Sequence, residues 1–203
     1  MHRPHVRVFV AASLDGFIAG AQGDLSWLSA FDDPPELTGY ARLSAQTDTV
    51  VLGRNTYDTV QGFDGWPYDG KRVVVLTKRS LEGAQGEEAH AGSLEILLQT
   101  LWTQGSRNVY LDGGQAIRQG LQSGCVDELT ISWAPVLLGT GVPLFGPELA
   151  MTRLPLVASR SLPSGLVQCT YAPKSRARLA LDLAQCPRTA NASIPPPEKK
   201  ETP

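Results

Sequence analysis

The stretch Asn108–Leu121, NVYLDGGQAIRQGL, decides the fold. Val109, Tyr110 and Leu111 read as a buried strand, and the pair Gly113-Gly114 breaks it. Gln115–Leu121 then carries helix-forming residues with an apolar stripe at Ala116, Ile117 and Leu121. A strand, a glycine pair and a helix start gather unpaired backbone N–H groups and the positive end of a helix dipole at one point, which suits a phosphate. Thr49–Val60, TVVLGRNTYDTV, repeats the device as strand, Gly53 and helix. Two such corners could grip one pyrophosphate from both sides. The rest of the chain reads as the scaffold that brings them together.

Outward from these corners, strands and helices alternate. Val6–Ala12 and Arg72–Thr77 are near-continuous apolar runs, as expected of strands covered on both faces. Pro34-Pro35-Glu36 opens a helix that reaches about Gln46, with Leu37, Tyr40, Ala41 and Leu43 as its stripe. Ser93 caps another, which buries Leu94, Leu97, Leu98 and Leu101 and ends at Gly105. Glu82–Gly92 reads as a polar surface stretch, and GFDGWPYDG (62–70) as an irregular connection. Gly20–Leu28 is a glycine-bearing loop with Trp27, either a mobile cover over a site or a surface loop pinned to the core. After Leu129–Trp133, Leu154–Ser161 and Gly165–Ala172 close the chain as strands only. The pattern predicts an α/β fold: a mainly parallel central sheet, an antiparallel C-terminal edge and helices on both faces. The domain spans 1–173. Residues 174–203 are expected as a tail, in which Lys174–Leu183 could form a short helix before a Pro-rich segment read as disordered.

The 203 residues are 42% hydrophobic, enough for a sizeable core, and the net charge of −2 offers no basic field for nucleic acid. No apolar run is long enough to cross a bilayer. The basic-then-apolar N-terminus is too short, alternates like a strand and meets Asp15-Gly16, so it is not read as a signal peptide. Three scattered cysteines without a CxxC pair predict reduced thiols in a cytoplasm rather than a disulfide framework or zinc site. No metal site is expected.

Five stretches in this order, AASLDGFIAG, DTVVLGRNTYDTV, KRVVVLTKRS, VYLDGGQAIRQGL and DELTISWAPVLLGTGVPLFG, resemble the dihydrofolate reductase-like superfamily. Within it the chain is similar to the bifunctional deaminase-reductase C-terminal domain, related to the riboflavin-biosynthesis reductases. The resemblance runs from about Val6 to Pro173. The zinc-binding motifs of the deaminase half do not occur in these residues. It implies a three-layer fold with an eight-stranded or larger sheet and NADPH across the strand ends. Motif by motif, it implies that Gly53, Arg54 and Thr56 bind pyrophosphate and adenosine phosphate at one corner. Gly113, Gly114, Gln115, Ala116 and Ile117 would supply the second. Leu76, Thr77, Lys78 and Arg79 would surround the adenosine ribose, and Ala12 and Ile18 would flank the nicotinamide. The residue types agree, since a 2′-phosphate needs the cations and hydroxyls of Arg54, Thr77, Lys78 and Arg79, whereas NADH sites place an acid there. A GxGxxG fingerprint is missing after the first strand, which disfavours an ordinary Rossmann dehydrogenase.

Hydride transfer to a ring imine needs a dry pocket, a proton source and a group that orients the ring. The resemblance points to Glu36 for orientation, allowing one inserted residue. A helix-start acid favoured by the dipole explains Glu36 as well. Asp15, at the end of the first strand, could hold a water or a substrate amine, or could serve only the Asp15-Gly16 turn. Phe17 replaces the basic residue that riboflavin-pathway reductases tend to carry after SLDG, and Trp66 and Tyr68 make the pocket more aromatic and less suited to phosphate.

The expected function is an NADPH-dependent oxidoreductase acting on a small planar heterocycle, pterin- or aminopyrimidine-like. Its activity would resemble that of dihydrofolate reductase or 5-amino-6-(5-phosphoribosylamino)uracil reductase. The rivals are a catalytically weak NADPH-binding module and a mainly structural homodimer using PVLLGTGVPLF.

Overall fold

The computed structural model describes residues 2–82 and 86–173. The strands are β1 (His5–Ser13), β2 (Phe17–Ala19), β3 (Thr49–Gly53), β4 (Arg72–Leu76), β5 (Glu88–His90), β6 (Asn108–Asp112), β7 (Glu128–Ala134), β8 (Val142–Pro143), β9 (Leu156–Ser161) and β10 (Val167–Tyr171). The helices are α1 (Pro35–Thr38), α2 (Tyr40–Gln46), α3 (Arg54–Val60), α4 (Leu94–Thr103) and α5 (Gly114–Gln122). An eight-stranded sheet runs β5-β4-β3-β6-β1-β7-β10-β9, and β2 pairs with β8 beside it. Every neighbour pair from β5 to β7 is parallel, whereas β10 is antiparallel to both β7 and β9. The predicted sheet and its antiparallel edge are therefore present.

Two clusters cover the faces of the parallel sheet, one on each, and a third, smaller one forms around Ala134, Leu162 and Leu166. Val6, Val8, Val109, Leu111, Leu129 and Ile131 pack under α4 and α5, with Leu98, Leu101 and Ile117 fully buried. On the other face Val50, Leu52, Val73, Val75 and Tyr110 meet Leu43 of α2 and Tyr57 and Val60 of α3. Each leucine-sized side chain buried this way contributes about 1.5–3 kcal/mol relative to an exposed one. Ser93 caps α4 by accepting from the Ile96 N–H.

Two expectations change and one open choice is resolved. The helix read as continuous from Pro35 to Gln46 is broken at Gly39, whose φ of 84° is left-handed and interrupts the ladder. The polar stretch after Glu82 is not all surface loop, because Glu88–His90 adds the parallel edge strand β5, anchored by Arg72 to Glu88 at 2.7 Å. An edge strand exposed on both sides carries no apolar signal, so periodicity could not find it. Trp27 follows the pinned alternative. It packs beside Ala134, Leu162 and Leu166, with its ring 6.5 Å from that of Phe31. The expectations for 174–203 lie outside the described residues.

Candidate active site

β3 and β6 are neighbours, with Leu52 opposite Asp112, yet the helices that leave them go to opposite faces. Such a switch point opens a crevice beyond the carboxyl ends of the strands, where α/β sheets take ligands. Both glycine corners sit there and touch. A side chain on Gly113 would overlap the Thr56 hydroxyl and come within 3.3 Å of the Gly53 amide nitrogen. One on Gly53 would lie 3.9 Å from the Ala116 methyl. Neither α3 nor α5 has a side-chain cap, so their first-turn N–H groups face the crevice without one.

The basic side of the crevice is partly neutralised. Arg54 donates to Asp58 at 2.7 Å and to the Ser80 carbonyl at 2.8 Å, tying α3 to the segment after β4. Arg79 lies 3.7 Å from the same Asp58, its N–H donates to the Thr77 hydroxyl, and Lys78 makes no ion pair among the described residues. Leu76 ends β4 one strand away. At the opposite side Ile18 approaches Gly114, where an added Cβ would lie 3.2 Å from its Cδ1. Ala12 is fully buried, backbone included, so the structure does not place it on the ligand-facing surface expected from the sequence. β1 continues to Ser13 against β7 but pairs with β6 only as far as Arg7, which leaves its last residues open toward the α5 corner. Gln115, Ala116 and Ile117 form the first turn of α5, with Ala116 and Ile117 in the core. The structure therefore brings the corner residues together and sets Ile18 beside them.

The two carboxylates singled out from sequence have other surroundings. Glu36 is exposed on α1 and makes no hydrogen bond or ion pair among the described residues. Asp15 accepts from the Ser13 hydroxyl at 2.6 Å and from the Gly139 N–H at 2.7 Å, with Leu138 N–H at 3.1 Å. These donors, the Ser13 hydroxyl foremost, hold its pKa below the usual aspartate value. Asp15 thus clasps the turn after β1 to the 136–141 loop.

Sequence reasoning missed Asp112, the last residue of β6. Its carboxylate accepts from the Gly113 N–H at 2.7 Å and the Tyr68 hydroxyl at 3.3 Å. No cation lies within ion-pair distance among the described residues. Around it the rings of Tyr40 and Tyr68 each lie 6.4 Å from that of Tyr110, and Trp66 backs onto Tyr68 at 5.5 Å. Burial among these rings pushes the Asp112 carboxyl up from its ordinary value, against the opposing hydrogen bonds. Burial also raises the phenols of Tyr40 and Tyr68, which stay protonated. The sequence signal was present as a lone acid closing the apolar run VYL, directly before the glycine pair.

Two touching glycine corners at a switch point, with the Asp112 carboxyl and its tyrosine rings beside them, define an α/β protein whose ligand site lies beyond the carboxyl ends of β3 and β6. Comparison with known proteins agrees. Residues 69–168 match the model of the RibD C-terminal domain. The chain is 32% identical over 158 residues to the uncharacterized protein YwjB of Bacillus subtilis, covering 75% of this chain and 89% of that one. A crystal structure of a putative riboflavin biosynthesis protein from Shewanella sp. PV-4 superposes with a TM-score of 0.77 at 38% identity, covering 84% of this chain and 99% of that one. Dihydrofolate reductase HdrB of Haloferax volcanii is 29% identical over 113 residues, covering 54% and 56% of the two chains. The chain belongs to the RibD C-terminal domain family of the dihydrofolate reductase-like superfamily, a family of reductases.

Proposed function

We propose that this protein is an NADPH-dependent reductase that delivers a hydride to a small planar heterocycle, pterin- or aminopyrimidine-like. The observation that carries this reading is the contact of the two glycine corners, Gly53-Thr56 and Gly113-Ala116, directly in front of Asp112. The corners suit the cofactor: the absence of a Cβ at Gly113 lets the two corners close on each other, and the uncapped backbone N–H groups that start α3 and α5 suit a pyrophosphate. Lys78 and Arg79, with Arg54 behind them, would face the 2′-phosphate, and Ile18, with Ala12 buried beneath it in the core, would face the nicotinamide.

When bound, NADPH supplies the hydride. The chain's own residues supply the rest. Tyr40 and Phe9, part-buried against the cluster that holds Tyr68, offer flat apolar surface that excludes water from a ring. Asp112, whose burial favours the protonated carboxyl more than water does, can hydrogen-bond a ring nitrogen or carbonyl. Glu36 remains the candidate for an exposed outer edge of the substrate. A weakly catalytic NADPH-binding module is the second reading, favoured by the solvent-facing Glu36 and by the engagement of Asp15 with backbone.

A cytoplasmic location belongs to the same proposal, and what supports it is three scattered cysteines without a CxxC pair. Among the described residues no helix is long and apolar enough to cross a membrane. The reading allows a homodimer, for which Leu137, Val142 and Phe145 of the PVLLGTGVPLF stretch and Leu156, Val157 and Val167 of the closing strands are exposed. Light scattering at high concentration decides this, and a strict monomer removes the homodimer. The function itself is tested by fluorescence titration with NADPH and NADH, followed by turnover of dihydrofolate, dihydropterins and the riboflavin-pathway pyrimidine. Binding of neither nucleotide would overturn the reading.

A further inference from the structure

Ser132 on β7, Gln168 on β10 and Arg160 on β9 are direct cross-strand neighbours, and their side chains join into one polar rung. Gln168 Nε2 donates to Ser132 Oγ at 3.0 Å. Arg160 donates to Gln168 Oε1 from Nε at 3.0 Å and from Nη2 at 2.7 Å. Ser132 and Gln168 are only 4% and 5% exposed, so breaking the rung would strand polar groups away from water.

The two ends of the rung are what matter. On the inner side Ser132 pairs with Ala11 of β1, on the stretch of that strand that runs past the end of β6. On the outer side Arg160 leaves the sheet and donates from Nη2 to the Thr38 carbonyl at 2.7 Å. That carbonyl closes α1, and the next residue is the left-handed Gly39, where an added Cβ would lie 3.4 Å from Arg160 Nη2. Arg160 forms no ion pair with a carboxylate among the described residues. Its donors are spent on neutral oxygens at fixed angles, which makes it a strut. The residue after the joint is Tyr40, whose ring packs 5.8 Å from Phe9 and 6.4 Å from Tyr110, within the cage around Asp112.

We infer that Arg160 is a positioning residue: braced on Gln168 and Ser132, it fixes the α1–α2 joint and so holds Tyr40 over the Asp112 cleft. As a statement about catalysis, this rests on the reading of that cleft as the substrate site. The groups that face Asp112 are Tyr40 from α2, Tyr110 from β6, and Tyr68 from the connection between α3 and β4. Loss of the strut lets Tyr40 swing away and water reach the carboxyl.

The test compares Arg160→Met, which keeps a stem and removes the donors, with Arg160→Lys, which can reach one acceptor. Hydrogen exchange is read over residues 39–47, and the Asp112 carboxyl is titrated by carbon-13 NMR in the absence of substrate. The expected result for R160M is exchange about tenfold faster over 39–47 with β1 and β6 unchanged, together with an Asp112 titration displaced to lower pH. R160K lies between R160M and the parent. In turnover, KM for the heterocycle rises several-fold while the NADPH dissociation constant stays the same. If R160M does not fold, R160K and Gly39→Ala, which crowds the same joint, carry the measurement. Exchange over 39–47 or an Asp112 titration identical to the parent's overturns the proposal. A protein that turns over no heterocycle overturns the reductase reading alone, because the exchange and titration still decide for or against the strut.

Discussion

Gly113 backs onto Thr56 so closely that a methyl group on the glycine would overlap the threonine hydroxyl. The φ of 100° at Gly113 adds a second penalty for any side chain. Gly113→Ala should therefore cost about 1–3 kcal/mol of stability and push the α5 corner away from the α3 corner. Gly53→Ala is the control, since Gly53 has an ordinary φ of −70° and open space out to 3.9 Å. Thermal melts paired with NADPH titration check this. G113A should lose affinity by more than tenfold, and G53A should change it far less.

Asp112 should make stability and turnover respond to pH in the same direction. Its folded-state pKa is raised, so its contribution is fully present below the ordinary aspartate value of about 3.9 and is lost as pH rises through the folded-state value. Asp112→Asn keeps the shape and removes the ionisation. The variant should gain melting temperature relative to the parent at pH 8 and lose that gain at pH 4. Its turnover should fall by about 10²-fold or more, the range typical of a lost proton donor.

Both corners were legible in the sequence because a strand, a glycine and a helix start are local events with local signals. Ser93 and the α4 stripe were legible for the same reason. Asp112 was not singled out, because its chemistry comes from Tyr40, Tyr68 and Tyr110, of which the first two are distant in the chain and reach the carboxyl only through the fold. The break at Gly39 was hidden because a glycine inside a helical stripe reads only as a weak helix former until Arg160 is seen against it. β5 was hidden because its residues are polar and half to fully exposed.

Asp15 should act as a loop fastener, with a pH response opposite to that of Asp112. The Ser13 hydroxyl and the Gly139 and Leu138 amides depress its pKa. Its contribution is therefore present above about pH 3.9 and disappears as pH falls through the lower folded-state value. Hydrogen exchange at Leu138 and Gly139 should quicken at that acid end. Asp15→Asn should quicken it at neutral pH too, and should weaken NADPH binding through Ile18, which follows the same turn and packs toward Gly114.

Cofactor choice should turn on charge balance around Asp58. Arg54 contacts that carboxylate at 2.7 Å and Arg79 at 3.7 Å, so two of the three cations near the proposed 2′-phosphate subsite are partly neutralised, while Lys78 is not. Lys78→Gln should weaken NADPH by about tenfold, the scale of one charge-assisted contact, and leave NADH almost unchanged. Asp58→Asn should move the ratio the other way by freeing both guanidinium groups. Exposed charges are screened, so both shifts should shrink between low salt and 0.5 M salt, where the Debye length falls to about 4 Å. Fluorescence titrations of the two variants with both nucleotides at the two salt concentrations measure this. Equal changes for NADPH and NADH would mean that the cluster steadies α3 and does not read the phosphate.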